Sequence, residues 1–252
     1  MDRWKGAWVG VVLEDGRGAG RDLAGTVGTP GTAGAGTVGA TGFGDPTTAV
    51  TGVVGPTITD VVLAAQREGQ IDVVAVDIPI GVPEHGPRQA DVLARRVVGP
   101  RRSSVFPTPV RAALEAADYA AAVLASRDLT GVGLSRQAHA LGPALLEVEE
   151  WVRTTAVAVV EVHPEVSFAV LAGSPLPWPK KSWAGARARL DLLTGAGVHL
   201  PADLGPAAVV PVDDVLDAAV AAWSARRYHR GAAVSFPDPP EVLDGIAAAI
   251  WA

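Results

Sequence analysis

The sequence predicts one α/β domain, and three observations carry that prediction. The stretch Ile71–Gly81, IDVVAVDIPIG, is a near-continuous run of β-branched and small apolar residues closed by Asp77, Pro79 and Gly81. Such a run reads as a strand buried on both faces, as in a parallel sheet. A second run of the same kind, Ala156–His163 (AVAVVEVH), also ends among polar groups. Segments with helical patterning fill the chain after Gly81, and they pack on and beside the sheet. In open α/β sheets ligands bind beyond the carboxyl ends of the strands, where Asp77 would sit. A carboxylate there holds a metal or moves a proton; alternatively it caps the following turn, as aspartate often does.

Taken in order, Trp8–Leu13 (WVGVVL) reads as a strand. Residues Gly16–Gly55 are rich in Gly, Ala and Thr and nearly lack large apolar side chains. They bury too little surface to offset their ordering entropy. The segment reads as a flexible insertion at about 16–55, with short strands near Leu23–Val27 and Val50–Val54. It lacks the Gly-Lys-Ser/Thr of a phosphate-cradling loop. Thr57–Glu68 reads as a helix, capped by Thr57 or Thr59 and stopped by Gly69. Further helices are predicted at Arg88–Val98, Pro109–Ser126, Ser135–Arg153, Ser182–Thr194, Asp213–Arg227 and Pro240–Trp251. Pro109 and Pro240 sit where first-turn prolines are tolerated, and Pro143 starts or kinks its helix.

Composition removes several function classes. The 252 residues fit one large α/β domain and include no cysteine. A disulfide framework, a thiolate nucleophile and a Cys-based zinc site are therefore excluded. No run approaches the roughly 18 apolar residues of a membrane helix, and the N-terminus lacks a signal-peptide pattern. The chain reads as cytoplasmic, with no membrane partner. A net charge of −6 argues against broad non-specific binding to nucleic acid. Six arginines (Arg88, Arg95, Arg96, Arg101, Arg102 and Arg111) nevertheless fall in one window without lysine. Arginine forks match phosphate oxygens; an ordinary solvated face explains the run equally well.

Four acidic groups are the candidate chemistry: Asp2 before the first strand region, Asp77, the set Glu161, His163 and Glu165, and the set Asp213, Asp214 and Asp217. Asp214 and Asp217 are three apart and share a helix face, while Asp213 reads as the N-cap. The small residues that follow, AAVAA, let this helix approach a sheet closely and deliver its acids to the strand ends. Glu161 and His163 alternate along a strand end and so share a face. His163 reads as a base, a metal ligand or a structural histidine. GPRRSSVFPTPVR, with Arg101, Arg102, Ser103 and Ser104, and TGVGLSRQA, with Gln137, are polar loops suited to an anionic ligand.

These pieces together resemble a domain-of-unknown-function family described as predicted ribonuclease H-like nucleases. The matching motifs run in order: WKGAWVGVVL, VAVDIPIGVP, RQADVLAR, GPRRSSVFPTPVR, TGVGLSRQA, EVEEWV, EVHPEVSF, a lysine before GARARL, and DDVLDAAVAAWSA. The resemblance implies a ribonuclease H-like mixed sheet flanked by helices, with extra helices in the second half. It implies that Asp2, Asp77 and Asp217, supported by Asp214, bind Mg²⁺ or Mn²⁺ for metal-dependent phosphodiester hydrolysis. Glu161, His163 or Glu165 would assist proton transfer, and Arg101, Arg102 and Lys181 would hold phosphates of a nucleic acid or other phosphoester. Family members carry a short apolar strand before the first acid, whereas Met1 precedes Asp2 directly here; the expectation is a start upstream of Met1 or a truncated chain. A non-catalytic or regulatory protein binding an anionic ligand on the same fold is the alternative, and a nucleotide-dependent phosphotransferase ranks third for want of a phosphate loop.

Overall fold

A computed structural model describes residues 1–4, 7–14 and 50–252, with the backbone alone for residues 2–4. Most of the predicted insertion, including the strand expected near Leu23–Val27, lies outside the described residues. The chain is α/β, with a mixed sheet flanked by helices. Its first three strands, β1 (Asp2–Trp4), β2 (Ala7–Leu13) and β3 (Val50–Gly55), form an antiparallel sheet in that order. The parallel strands β4 (Val73–Val76) and β5 (Ala158–Glu161) continue into a C-terminal hairpin of β6 (Ser235–Leu243) and β7 (Ile246–Trp251), in the order β4-β5-β7-β6. Met1 joins the two groups: its N–H donates to the Ala75 carbonyl at 2.8 Å, and its carbonyl accepts from Asp77 N at 3.0 Å. That is the slanted pattern of parallel neighbours. The backbone thus runs β3-β2-β1-β4-β5-β7-β6, and the register sets residue 2 alongside residue 77.

Helices cover both faces. On one face, α1 (Ile58–Gln66) and α6 (Gly142–Thr154) bury Ile58, Val61, Leu145 and Val148 against Val74 and Val76 of β4. On the other, α9 (Val212–His229) packs against β1, β2 and β4, with Ala221 seated on Ala75, Val160 and Val162. Alternation along β4 therefore puts Val74 and Val76 toward α1 and Ala75 toward α9. Outside α9 lie α7 (Pro164–Ala172) and α8 (Trp183–Gly195), which share with it a core of Phe168, Leu193, Leu216 and Trp223. Among the described residues, no helix is long and apolar enough to cross a membrane.

Several predicted elements form nearly as read. Thr57 caps α1 through a reciprocal capping box with Asp60, and α2 (Gln89–Val97) sits inside the predicted helix. Others require correction. The helix expected over Pro109–Ser126 is two, α3 (Arg111–Leu114) and α4 (Tyr119–Thr130), because Asp118 leaves helical geometry to cap Ala121 N. That over Ser135–Arg153 divides into α5 (Arg136–Ala140) and α6, with Pro143 in the first turn of the second. Pro240–Trp251 is strand, not helix. Pro237, Pro239 and Pro240 remove the N–H donors a helix needs. Asp244 and Gly245, at φ 47° and 76°, form the Asp-Gly turn that favours a tight hairpin. Helix α7 was not expected at all. It begins at Pro164, in a first turn where the missing N–H costs nothing.

Candidate functional site

Helix α9 runs antiparallel to β4 across one face of the sheet. Its C-terminal half (Ala222, Ala225 and Arg226) lines a cavity of about 1410 Å³ together with Ile71–Ala75, at the amino end of β4. Among the described residues, none of the predicted site residues lines that cavity, which lies between β2 and β4. Ala221 lies at mid-strand, so Asp217, one turn earlier, lies beyond the carboxyl end of the sheet. Asp77 follows β4 directly, and the strand's alternation puts it on the face of Ala75, toward α9. Residue 2 is its neighbour in register, although the Asp2 side chain lies outside the described residues. Asp214 is half-buried and Asp217 only 1% exposed. Two elements with described side chains, β4 and α9, thus carry acids toward one end of the parallel strands.

Lysine 180 is the cation the sequence analysis passed over. Its Nζ donates to Asp217 Oδ2 at 2.5 Å and stands 4.0 Å from Asp213 Oδ2. The predicted partner, Lys181, is mostly solvent-exposed and approaches only Asp213, at 3.9 Å. Asp213 is not the N-cap: Pro211 holds that position without a side-chain hydrogen bond, and the buried Asp213 carboxylate faces the two lysines. Two adjacent lysines look alike in sequence. What separates them is the turn into α8, where Ser182 caps Gly185 N and Lys180 lies on the inner side.

Histidine 163 and Ser104 form the next group. His163 precedes α7, half-buried, and its Nε2 lies 3.3 Å from the Ser104 carbonyl. A carbonyl only accepts, so Nε2 carries the proton and Nδ1 holds a lone pair. That Nδ1 and the Ser104 hydroxyl are buried, with no hydrogen-bond partner among the described residues. Burial pushes the imidazole below its ordinary pKa, and Lys180 adds to this, against the Ser104 carbonyl and Glu165. His163 is thus a neutral imidazole with an open acceptor.

Glu161 and Glu165 are engaged elsewhere. Glu161 ends β5 and meets Arg88 in a two-pronged ion pair, with Nη1 to Oε2 at 2.8 Å and Nη2 to Oε1 at 2.7 Å. Ile80 N donates to the same carboxylate at 2.7 Å. Arg88 also reaches Asp91 at 2.7 Å and the Ile80 carbonyl at 3.0 Å, and Asp91 receives Thr108 N at 2.7 Å. Burial works against the Arg88 charge, but Glu161 and Asp91 outweigh it and hold the guanidinium above its ordinary pKa. This triad fixes the turn that follows Asp77. The alternation expected to put Glu161 and His163 on one face ends with β5. Glu165, in the first turn of α7, pairs with the fully buried Arg189 at 2.5 Å and lies 3.8 Å from Arg101.

The arginine window disperses. Arg88 is buried, Arg95 donates to the Val105 carbonyl, and Arg111 pairs with Glu149 and Glu84. Only Arg101, whose Nε donates to the Leu176 carbonyl at 2.8 Å, and the exposed Arg102 approach the site region. Ser103 is exposed beside them. Gln137 is exposed on α5, which packs on α4 and α6, and is not brought to the carboxylates.

Comparison with known proteins adds one finding. No curated protein and no solved structure matches the chain. A family described as "Protein of unknown function (DUF429)" matches residues 1–242, nearly the whole length, and the chain belongs to that family.

Proposed function

We propose that this protein is a metal-dependent phosphodiester hydrolase, a nuclease, on a ribonuclease H-like fold. The observation that supports the reading is topological: Asp77 follows β4, residue 2 lies beside it in register, and Asp214 and Asp217 sit on the half of α9 directed beyond the same strand end. The strand order β3-β2-β1-β4-β5, with β1 parallel to β4, supports the fold assignment. The donors are carboxylate oxygens, which suit the hard cations Mg²⁺ and Mn²⁺. Among the described residues no three His, Asp or Glu side chains gather closely enough to hold a metal. The fit therefore rests on Asp2 completing the set beside Asp77, and on Lys180 yielding Asp217. When bound, such a cation supplies an activated water and neutralises charge on the leaving oxygen.

The remaining residues have roles of their own. Lys180 pairs with Asp217 and would offer its charge to a substrate phosphate. Lys181, Arg101 and Arg102 provide positive charge for flanking phosphates. His163, neutral with Nδ1 open, is the candidate acceptor for a proton released in the reaction. Glu161 and Glu165, tied to Arg88 and Arg189, position the turn after Asp77 and helix α7 rather than reacting.

A thermal-shift titration tests the reading. Saturating Mn²⁺ or Mg²⁺ should raise the melting temperature of the wild type by about 5–10 °C, from roughly 2.7 kcal/mol at a hundredfold excess over Kd. Asp77→Asn should lose both that rise and cleavage of oligonucleotides. An equal rise in the variant, or none in the wild type at millimolar metal, overturns the metal assignment. The Lys180–Asp217 pair favours a second reading, a non-catalytic protein that binds an anionic ligand. Metal-dependent turnover that disappears in Asp77→Asn rules it out.

A further inference from the structure

Six of the seven tryptophans have described side chains, and they divide sharply. Trp8 and Trp223 are buried, and Trp151 and Trp251 pack against core clusters. Trp178 and Trp183 are 50% and 84% exposed. Both stand in one short connection, Ser174–Ser182, and the first residue of α8 that follows it. An indole left in water forgoes a large burial gain, so two in one turn mark a surface built for contact.

The connection is held firmly. Pro175, Pro177 and Pro179 limit its backbone freedom. Arg189, fully buried, donates to the carbonyls of Gly185 at 3.0 Å and Trp178 at 3.4 Å. Ser182 Oγ donates to the Pro179 carbonyl at 2.7 Å. The two tryptophans are thus presented on an ordered frame, their Cα atoms no more than about 18 Å apart for five residues of chain.

The setting is cationic on the side facing the carboxylates. Lys180 and Lys181 lie between the two tryptophans, and Lys180 touches Asp217. Arg101 is hydrogen-bonded to the Leu176 carbonyl of the same connection. Aromatic faces interleaved with lysine and arginine suit unpaired bases on a phosphate backbone. Stacking needs a free base face, which a duplex hides within its own stack.

We propose that Trp178 and Trp183 form a base-stacking platform that makes single-stranded nucleic acid, rather than duplex, the ligand of this site. The proposal rests on the hydrolase reading for the direction of the strand toward the carboxylates. It does not need turnover. The phosphates run along Lys180, Lys181, Arg101 and Arg102, and successive bases stack on the two indoles.

The test is fluorescence anisotropy with a fluorescein-labelled oligothymidine of about 16 nucleotides and with its duplex, in EDTA so that nothing is cut. Wild type should bind the single strand at least about tenfold more tightly than the duplex. Trp178→Ala and Trp183→Ala should each weaken single-strand binding by about 5- to 150-fold, and Trp→Phe at either position should keep most of it. Both residues are exposed, and unchanged melting temperatures would show that the variants fold. Equal affinity for single strand and duplex, or unchanged binding in both alanine variants, overturns the platform. Cleavage assays with Mn²⁺ run in parallel separate the two claims. Cleavage with unaffected alanine variants removes the platform and leaves the hydrolase. Binding lost in the alanine variants with no cleavage by wild type does the reverse.

Discussion

Replacing Arg88 by methionine should destabilise the fold by about 3–5 kcal/mol at pH 8, the usual cost of breaking a buried ion pair from one side. The guanidinium is completely buried, and the Glu161 and Asp91 carboxylates are each only 4% exposed. Methionine fills most of the stem volume, so the loss comes from stranded charge rather than a cavity. Glu161 would keep only the Ile80 N–H, and Asp91 only the Thr108 N–H and hydroxyl. Burial already raises the Glu161 carboxyl pKa against the pull of Arg88, and losing the guanidinium raises it further. Groups with raised folded pKa values favour the folded state more as pH falls, so the deficit should narrow between pH 8 and about pH 5. With a urea slope of about 2 kcal/mol/M, the unfolding midpoint should fall by about 1.5–2.5 M at pH 8. Urea titrations followed by tryptophan fluorescence at both pH values measure this. A deficit under about 1 kcal/mol at pH 8, the scale of an exposed pair, or one that widens in acid, would refute the argument.

Two further predictions follow from local geometry. The imidazole of His163 is held below its ordinary pKa, chiefly by burial. The unfolded chain therefore takes up a proton below about pH 6.5 that the folded chain refuses, and stability falls as pH drops through that value. His163→Gln should flatten this part of the stability–pH curve; an unchanged slope between pH 7.5 and 5.5 would contradict it. Gly81, just after the Asp77 turn, has φ +87°, and an added Cβ would stand 2.9 Å from that of Ala248. Gly81→Ala should lower the melting temperature by about 4–8 °C, from roughly 2 kcal/mol of backbone strain and crowding. A calorimetric scan showing no change would contradict it.

Elements governed by local rules were legible in the sequence. The apolar runs at β4 and β5 and the capped helix α1 depend on composition and neighbours a few residues away. The C-terminal hairpin was not legible: Pro240 suits a first helical turn as well as a strand, and Pro237, Pro239 and the Asp244-Gly245 turn decide for the hairpin. Asp77, Asp214 and Asp217 stand out as candidates because acids at strand ends and in a first helical turn leave a positional trace. Arg88, Asp91 and Arg189 left none. They are buried ions whose partners lie across the fold: Glu161 is 73 residues from Arg88. Lys180 and Lys181 carry the same chemistry in sequence, and only the turn into α8 assigns the inner role.

The contact between α9 and the sheet has a mechanical consequence. Ala218, Ala219 and Ala221 are essentially inaccessible, and Ala221 meets the sheet through a methyl group alone. Methyl groups have no rotamers with which to absorb displacement, and a close-packed interior transmits strain rather than dissipating it. The gap between helix and sheet is therefore a rigid spacer, and the separation of Asp217 from Asp77 is its readout. A methylene added at Ala221 would push α9 off the sheet and carry Asp217 with it.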